Sequence, residues 1–392
     1  MTNTIARAAL ALALATALPA SARPVQPQAE LASAQQAARV LFWNEAQKLD
    51  GFAHMERQFR FHTVRHGPTV HPLPLGKPIA LTISVDGKAM PLDQFMAAEK
   101  FAGLLVIKDG RIRLEKYAFG YGPRGRWTSF SVAKSLTSTL VGAAIKDGAI
   151  RSLDDAVTDY LPGLKGSGYD GVTVRQLLTM TSGVAWNEDY ADPKSDVARF
   201  FSQPEVPGVD PTVAYMRTLS REAAPGTKWL YKTGETNLVG ALVTAATHKS
   251  LSEYLSEKIW RPWGMEQDAV WMTDSKGQEP GGCCISVSLR DYGRIGEYMR
   301  SGGNAALPNG WIADATRKHA DIGEPGRGYG YQWWPEDSGA YDAIGIFGQM
   351  IHIDPKRRLV IVTSGAWPTA VSASKSQARQ ALIDAVVAAL PG

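Results

Sequence analysis

Apolar and polar positions change period several times along the chain, and each change marks an element. Phe101 to Ile107 is a continuous apolar run, Lys108-Asp109-Gly110 interrupts it, and a second strand pattern runs from Arg111 to Phe119. An Asp-Gly pair between two such runs predicts a hairpin with a tight turn. From Val132 to Lys146 the apolar residues recur at helical spacing until Asp147-Gly148 stops them. Leu31 to Leu49 has the same spacing, whereas Thr63 to Pro78 is Pro-rich and is expected to wrap irregularly over the domain. Leu153 to about Arg300 reads as mostly helical, broken by Gly- and Pro-bearing loops. Strand patterns return at Gly328–Trp334, Ala343–Ile353 and Arg358–Ser364, and Val371–Leu390 ends the chain as an amphipathic helix.

This order predicts an α/β fold of the α+β kind. An antiparallel sheet is completed from both chain ends and flanked by helices, with a mostly helical insertion over about 151–300 beside it. The domain spans 96–392 and is preceded by an extension over 23–95. Before that, Arg7, the apolar stretch Ala8–Leu18 and the Ala20-Ser21-Ala22 site have the form of a secretory signal peptide cut after Ala22. The expected location is therefore periplasmic or secreted. No later stretch reaches about 18 uninterrupted apolar residues, so no stable membrane insertion is expected after cleavage.

Composition narrows the partners. With 392 residues and 44% hydrophobic positions, the chain can bury a large core without staples. Its 42 Lys+Arg against 38 Asp+Glu form no block of like charge, which argues against nucleic acid. Two adjacent cysteines, Cys283 and Cys284, exclude a disulfide framework or a Cys-rich zinc site. Neighbouring Cα atoms lie about 3.8 Å apart, below the usual disulfide range, so two buried free thiols are expected. His54, His62, His66 and His71 are spaced too irregularly for a metal site and are expected to be solvated or hydrogen-bonded. Neither a metal nor an organic cofactor is expected.

Candidate chemistry comes down to one serine. No G-x-S-x-G elbow, H-E-x-x-H, Walker loop or dinucleotide fingerprint occurs. Ser131-Val132-Ala133-Lys134 is an S-x-x-K match, as is Ser372-Ala373-Ser374-Lys375. The first opens a long helix directly after the strand pair, where residues three apart share a face and Lys134 can reach the Ser131 hydroxyl. Unpaired N–H groups at that helix start can also bind a developing oxyanion. A serine needs a base within hydrogen-bond reach, and a lysine serves once burial or a neighbouring cation lowers its pKa. Tyr231, in Pro225-Gly226-Thr227-Lys228-Trp229-Leu230-Tyr231, is the candidate to share the proton.

From about Thr63 to Pro368 the chain resembles the serine β-lactamase-like superfamily: class C β-lactamases, D-alanyl-D-alanine carboxypeptidases, related esterases and 6-aminohexanoate-dimer (nylon oligomer) hydrolases. The ordered motifs are Ser129 to Ser135, Leu153-Asp154-Asp155 through Tyr160-Leu161-Pro162, Val174 to Gly183, Pro225 to Tyr231, Pro262 to Met265 and Gly345 to Gln349. Asn187 to Pro193, Tyr231-Lys232-Thr233 with Thr236 to Gly240, and Phe347-Gly348-Gln349 are most similar to the nylon-oligomer branch. The resemblance implies Ser131 as nucleophile, Lys134 as its proton partner and Tyr231 as relay to the leaving group. It further implies Tyr190 as donor to an amide leaving nitrogen, and the N–H groups of Ser131 and Gln349 as oxyanion hole. Two positions depart from β-lactamases and carboxypeptidases: Thr233 replaces their Asn, and Ile346 stands where their late strand carries Lys or His. Without that cation a β-lactam or D-alanine carboxylate loses its charge-assisted partner. Lys232-Thr233-Gly234 reads as a coincidental copy of the late-strand motif, because it opens a helix.

The expected partner is a small amide or ester substrate cleaved through an acyl-enzyme. A carboxylesterase without amidase activity, a β-lactamase or penicillin-binding sensor, and a catalytically dead scaffold remain open as alternatives.

Overall fold

The computed structural model describes residues 39–391, apart from 202–205, 207 and 275. The signal-peptide reading of Met1–Ala22 and the first residues of the Leu31–Leu49 helix lie outside the described residues. Of the two units into which the chain divides, Ala32–Gly392 carries everything below.

Among the described residues three sheets organise the fold. The largest has six strands in the order β5-β4-β12-β11-β10-β9. These are β4 (Phe101–Lys108), β5 (Arg111–Tyr117), β9 (Trp334–Pro335), β10 (Tyr341–Gly345), β11 (Gln349–Asp354) and β12 (Leu359–Gly365). All neighbours are antiparallel, and β12 joins the two chain ends by pairing with β4 from Leu359↔Lys108 to Ser364↔Gly103. Asp109 and Gly110, with φ of 56° and 70°, make the predicted tight turn.

The late strands differ from the sequence expectation. Ala343–Ile353 is not one strand but a hairpin, because Phe347 (φ 62°) and Gly348 (φ 94°) reverse the chain between β10 and β11. Of Gly328–Trp334 only Trp334 is in a strand, since Gln332 sits at φ 61°. A four-stranded sheet of order β1-β7-β8-β6 also forms. It comprises β1 (Phe61–Val64), β6 (Trp127–Thr128), β7 (Ala269–Met272) and β8 (Ile285–Val287). β7 and β8 lie in the stretch read as mostly helical; apolar runs this short carry no distinguishing period. The third sheet is the hairpin of β2 (Thr82–Val85) and β3 (Lys88–Pro91). Thr63 and Val64 end β1, and the rest of Thr63–Pro78 wraps irregularly along the body as expected, with Leu75 bridged to Ile112 and His71 N–H bonded to Gly264 O at 2.7 Å.

Every residue of β4, β11 and β12 is buried, as befits a sheet covered on both faces. Leu289–Arg300 packs across β4, β11 and β12, and Val132–Lys146 packs against β10 and β11. The first contact is close because Gly293 and Gly296 carry no side chain. A Cβ at Gly296 would stand 2.3 Å from Val360 Cγ1, and one at Gly293 2.5 Å from Leu105 Cδ2. The second helix ends at Asp147-Gly148, where Gly148 adopts φ 75° and Ala149 N–H returns to Ala144 O at 2.9 Å. It packs against Thr233–Thr247, and both helices are buried over most of their length.

Gly296→Ala is expected to lower stability by about 1–3 kcal/mol through overpacking against Val360. A urea midpoint measured by circular dichroism should fall accordingly.

Candidate active site

Ser131 sits on a sharp strand-to-helix turn. β6 ends at Thr128, Phe130 takes φ 43°, and the helix begins at Val132. A non-glycine residue in that conformation is held by its surroundings. The N–H groups of Val132, Ala133 and Lys134 bond the carbonyls of Ser129, Phe130 and Ser131. The Ser131 N–H has no such partner among the described residues. The end of β10 passes directly over it: a Cβ at Gly345 would lie 2.5 Å from Ser129 O and 3.2 Å from Ser131 N, so only glycine fits.

One turn into the helix, Lys134 is 1% exposed. Its Nζ donates to Ser131 Oγ (3.1 Å), Thr233 Oγ1 (3.0 Å) and Gly282 O (2.8 Å). Burial pushes its pKa down to about 8, opposed by the charge of Glu188. A lysine at that value is neutral in roughly one molecule in ten at pH 7 and can then accept a proton from the serine.

Tyr231 completes the group. Lys134 Nζ lies 5.2 Å from the Tyr231 ring centroid. The ring stacks on Trp334 at 5.7 Å and meets Tyr329 edge-on at 6.2 Å, so its position is fixed by aromatic packing. Burial and the Glu188 charge hold the phenol well above its ordinary pKa, while a hydrogen bond with Ser131 works in the opposite direction. It is therefore a neutral proton donor at physiological pH.

Sequence reasoning passed over Glu188. Its Oε1 accepts from Tyr190 Oη at 2.6 Å and from Thr233 Oγ1; its Oε2 accepts from Thr233 N–H at 2.9 Å and from Trp186 Nε1. Lys134, Thr233 and Glu188 thus form one chain of hydrogen bonds. The only hint was an acid two residues from Tyr190 in an aromatic loop. The Tyr190 phenol is occupied by this carboxylate rather than free, and burial and the Glu188 charge raise its pKa.

Ser131, Tyr190, Thr233 and Ile346 line one pocket. Ile346 stands there as an apolar residue, as its sequence position suggests. Gln349 is buried, with its carboxamide bonded to Gly365 N–H and O (2.8 Å each) and to Ile346 O. Only its main chain is left for a substrate. Lys232 does not enter the pocket: its Nζ lies 3.3 Å from Glu235 Oε1, both side chains fully buried. Burial pushes Glu235 up to about 7, against the pull of Lys232 and a hydrogen bond from Ser182. The second S-x-x-K match is a helix cap, with Ser372 accepting from Lys375 N–H.

The free-thiol expectation is overturned. Cys283 and Cys284 form a vicinal disulfide with Cα atoms 3.6 Å apart. The backbone accommodates it by placing Cys284 at φ 86°. Both residues line the pocket, next to the Gly282 carbonyl that holds Lys134.

The four amino-terminal histidines do not converge. His54, His62 and His66 bond Asp50, Glu279 and Asp268, and His71 stacks on Trp263. Glu336, Asp342 and His352 bring potential donor atoms within 4.8 Å. Both Asp342 oxygens are already taken, by Arg327 and by His352, so this cluster is an ion-pair network.

The profile of the Beta-lactamase family matches residues 92–382. The chain is 31% identical over 285 residues to the 6-aminohexanoate-dimer hydrolase of Paenarthrobacter ureafaciens, covering 67% of this chain and 72% of that protein. A β-lactamase of Pseudomonas fluorescens is 24% identical over 229 residues, 55% of this chain and 56% of its own length. Among solved structures, a putative 6-aminohexanoate-dimer hydrolase from Bacillus anthracis superposes with a TM-score of 0.74 at 23% identity, over 88% of this chain and 95% of that one. EstCE1, a hydrolase with promiscuous acyltransferase activity, gives 0.61 at 17% identity, over 74% and 96%. At these identities the structural likeness is one of fold. The profile spans most of the chain and includes Ser131 and Lys134, so the chain belongs to the β-lactamase family of hydrolases.

Proposed function

We propose that this protein is an exported serine hydrolase that cleaves an amide or ester bond of a linear substrate through an acyl-enzyme on Ser131. The observation that carries the reading is the buried Lys134 amine, 3.1 Å from Ser131 Oγ with its pKa pushed down to about 8. Ser131 Oγ attacks the carbonyl carbon while neutral Lys134 takes its proton. The Ser131 and Gln349 N–H groups bind the oxyanion. As the tetrahedral adduct collapses, the Tyr231 phenol gives its proton to the departing nitrogen or oxygen and regains one from the Lys134 ammonium. Water, deprotonated by the same route, then attacks the acyl carbon and releases the acid.

A 6-aminohexanoate-dimer-like linear amide is the model substrate, supported by the similarity to that hydrolase. One observation favours an esterase without amidase activity: the Tyr190 proton is directed at Glu188, away from a leaving nitrogen. Comparing p-nitrophenyl acetate with the linear 6-aminohexanoate dimer separates the two. A β-lactam substrate is disfavoured by Ile346, which offers its carboxylate no cation. Export rests on the leader-like Met1–Ala22.

Ser131→Ala should reduce p-nitrophenyl acetate turnover by about 10⁴-fold or more. A fluorophosphonate should add one label to the wild-type mass, mapped to Ser131, and none to the variant. Retained turnover or a label elsewhere contradicts the assignment.

Because neutral Lys134 is the base, kcat/KM should rise tenfold per pH unit below about 8 and level off above it. The Glu188 charge raises the Lys134 pKa, so Glu188→Gln should move that midpoint to lower pH. A pH–rate profile with ester substrate checks both signs.

A further inference from the structure

We infer that the pocket over Ser131 takes an uncharged, apolar segment of the substrate next to the scissile bond, and that residues 40–55 build part of its wall. This rests on the serine-hydrolase reading above and specifies its substrate class. None of the side chains lining the pocket carries a formal charge. Val40, Leu41, Met55, Phe130, Phe201 and Ile346 give it an apolar surface. The polar side chains that reach it are already engaged. Ser131 and Thr233 accept from Lys134, Thr233 also donates to Glu188, and Tyr190 donates to Glu188. The cysteines are joined to each other.

A charged group drawn into this space loses its water and finds no counter-ion among the lining side chains, while the Lys134 and Glu188 charges behind them are already hydrogen-bonded, which is expensive. An alkyl group there is favourably removed from water. Val40, Leu41 and Met55 precede residue 92, where the family match begins. This part of the wall is therefore supplied by segments outside the matched region.

The test uses the full-length enzyme and near-isosteric ester pairs, with hydrolysis followed by pH-stat. On the acyl side, ethyl 5-methylhexanoate is compared with monoethyl glutarate; on the alcohol side, 4-methylpentyl acetate with 4-acetoxybutanoate. Acetylcholine and 3,3-dimethylbutyl acetate repeat the alcohol-side comparison for a cation. On whichever side of the bond the pocket lies, kcat/KM should favour the uncharged member by on the order of 100-fold. Leu41→Lys, at the half-buried rim, should narrow the preference over the carboxylate by at least about tenfold. Equal use within every pair, or preference for a charged member, overturns the inference. Ethyl acetate is the control. If it is not hydrolysed, or its hydrolysis survives Ser131→Ala, the serine-hydrolase reading falls and the pocket assignment with it. Hydrolysis without discrimination removes the pocket assignment alone.

Discussion

An amine enclosed between two buried helices is the constraint on which the rest of the site depends. Placing Lys134 at 1% exposure penalises its charged form. Its surroundings compensate in part: the Ser131 and Thr233 hydroxyls and the Gly282 carbonyl accept its three protons, and Glu188 supplies a nearby negative charge. Fewer acceptors would leave a buried donor unsatisfied, while a carboxylate in direct contact would hold the lysine permanently charged. Glu188 instead acts through the Thr233 hydroxyl, leaving the lysine balanced between ammonium and amine.

Backbone strain converges on the same place. Three segments surround Ser131, and each contains a non-glycine residue with positive φ: Phe130 beside the serine, Cys284 beside the lysine's carbonyl partner, and Phe347 before the late strand. Such conformations persist only where packing over-determines them. The packing is visible. Phe130 and Phe347 meet each other at 5.2 Å and both meet Phe52, at 4.9 and 5.3 Å. The helix Glu45–Ala53 that carries Phe52 therefore helps hold the turn presenting Ser131.

What could be read before the structure follows from which signals are local. The Ser131–Lys134 pair was legible because helical spacing alone brings residues three apart together, and the sheet joined from both ends was legible from the order of the strand patterns. The β10–β11 reversal was not, since nothing in Ile346-Phe347-Gly348 announces that Phe347 leaves the extended region. β7 and β8 were hidden for a different reason: four- and three-residue buried runs have no readable period. Glu188 was missed because its role depends on a contact distant in sequence, to Thr233, and the cysteines were expected free because sequence spacing does not show the φ of 86° that Cys284 adopts. Tyr231 was found through an ordered motif, yet the Trp334 and Tyr329 rings that hold it could not be assigned that task from strand pattern.

The site works only if Lys134 exchanges its proton near neutrality. Titrating the lysine side-chain ¹³Cε–¹Hε resonances of the intact enzyme, with Lys134→Arg for assignment, measures this without reference to any substrate. One resonance with a midpoint at about 8 that vanishes in the variant is expected. A Lys134 resonance titrating at the ordinary lysine value of about 10.4 would contradict it.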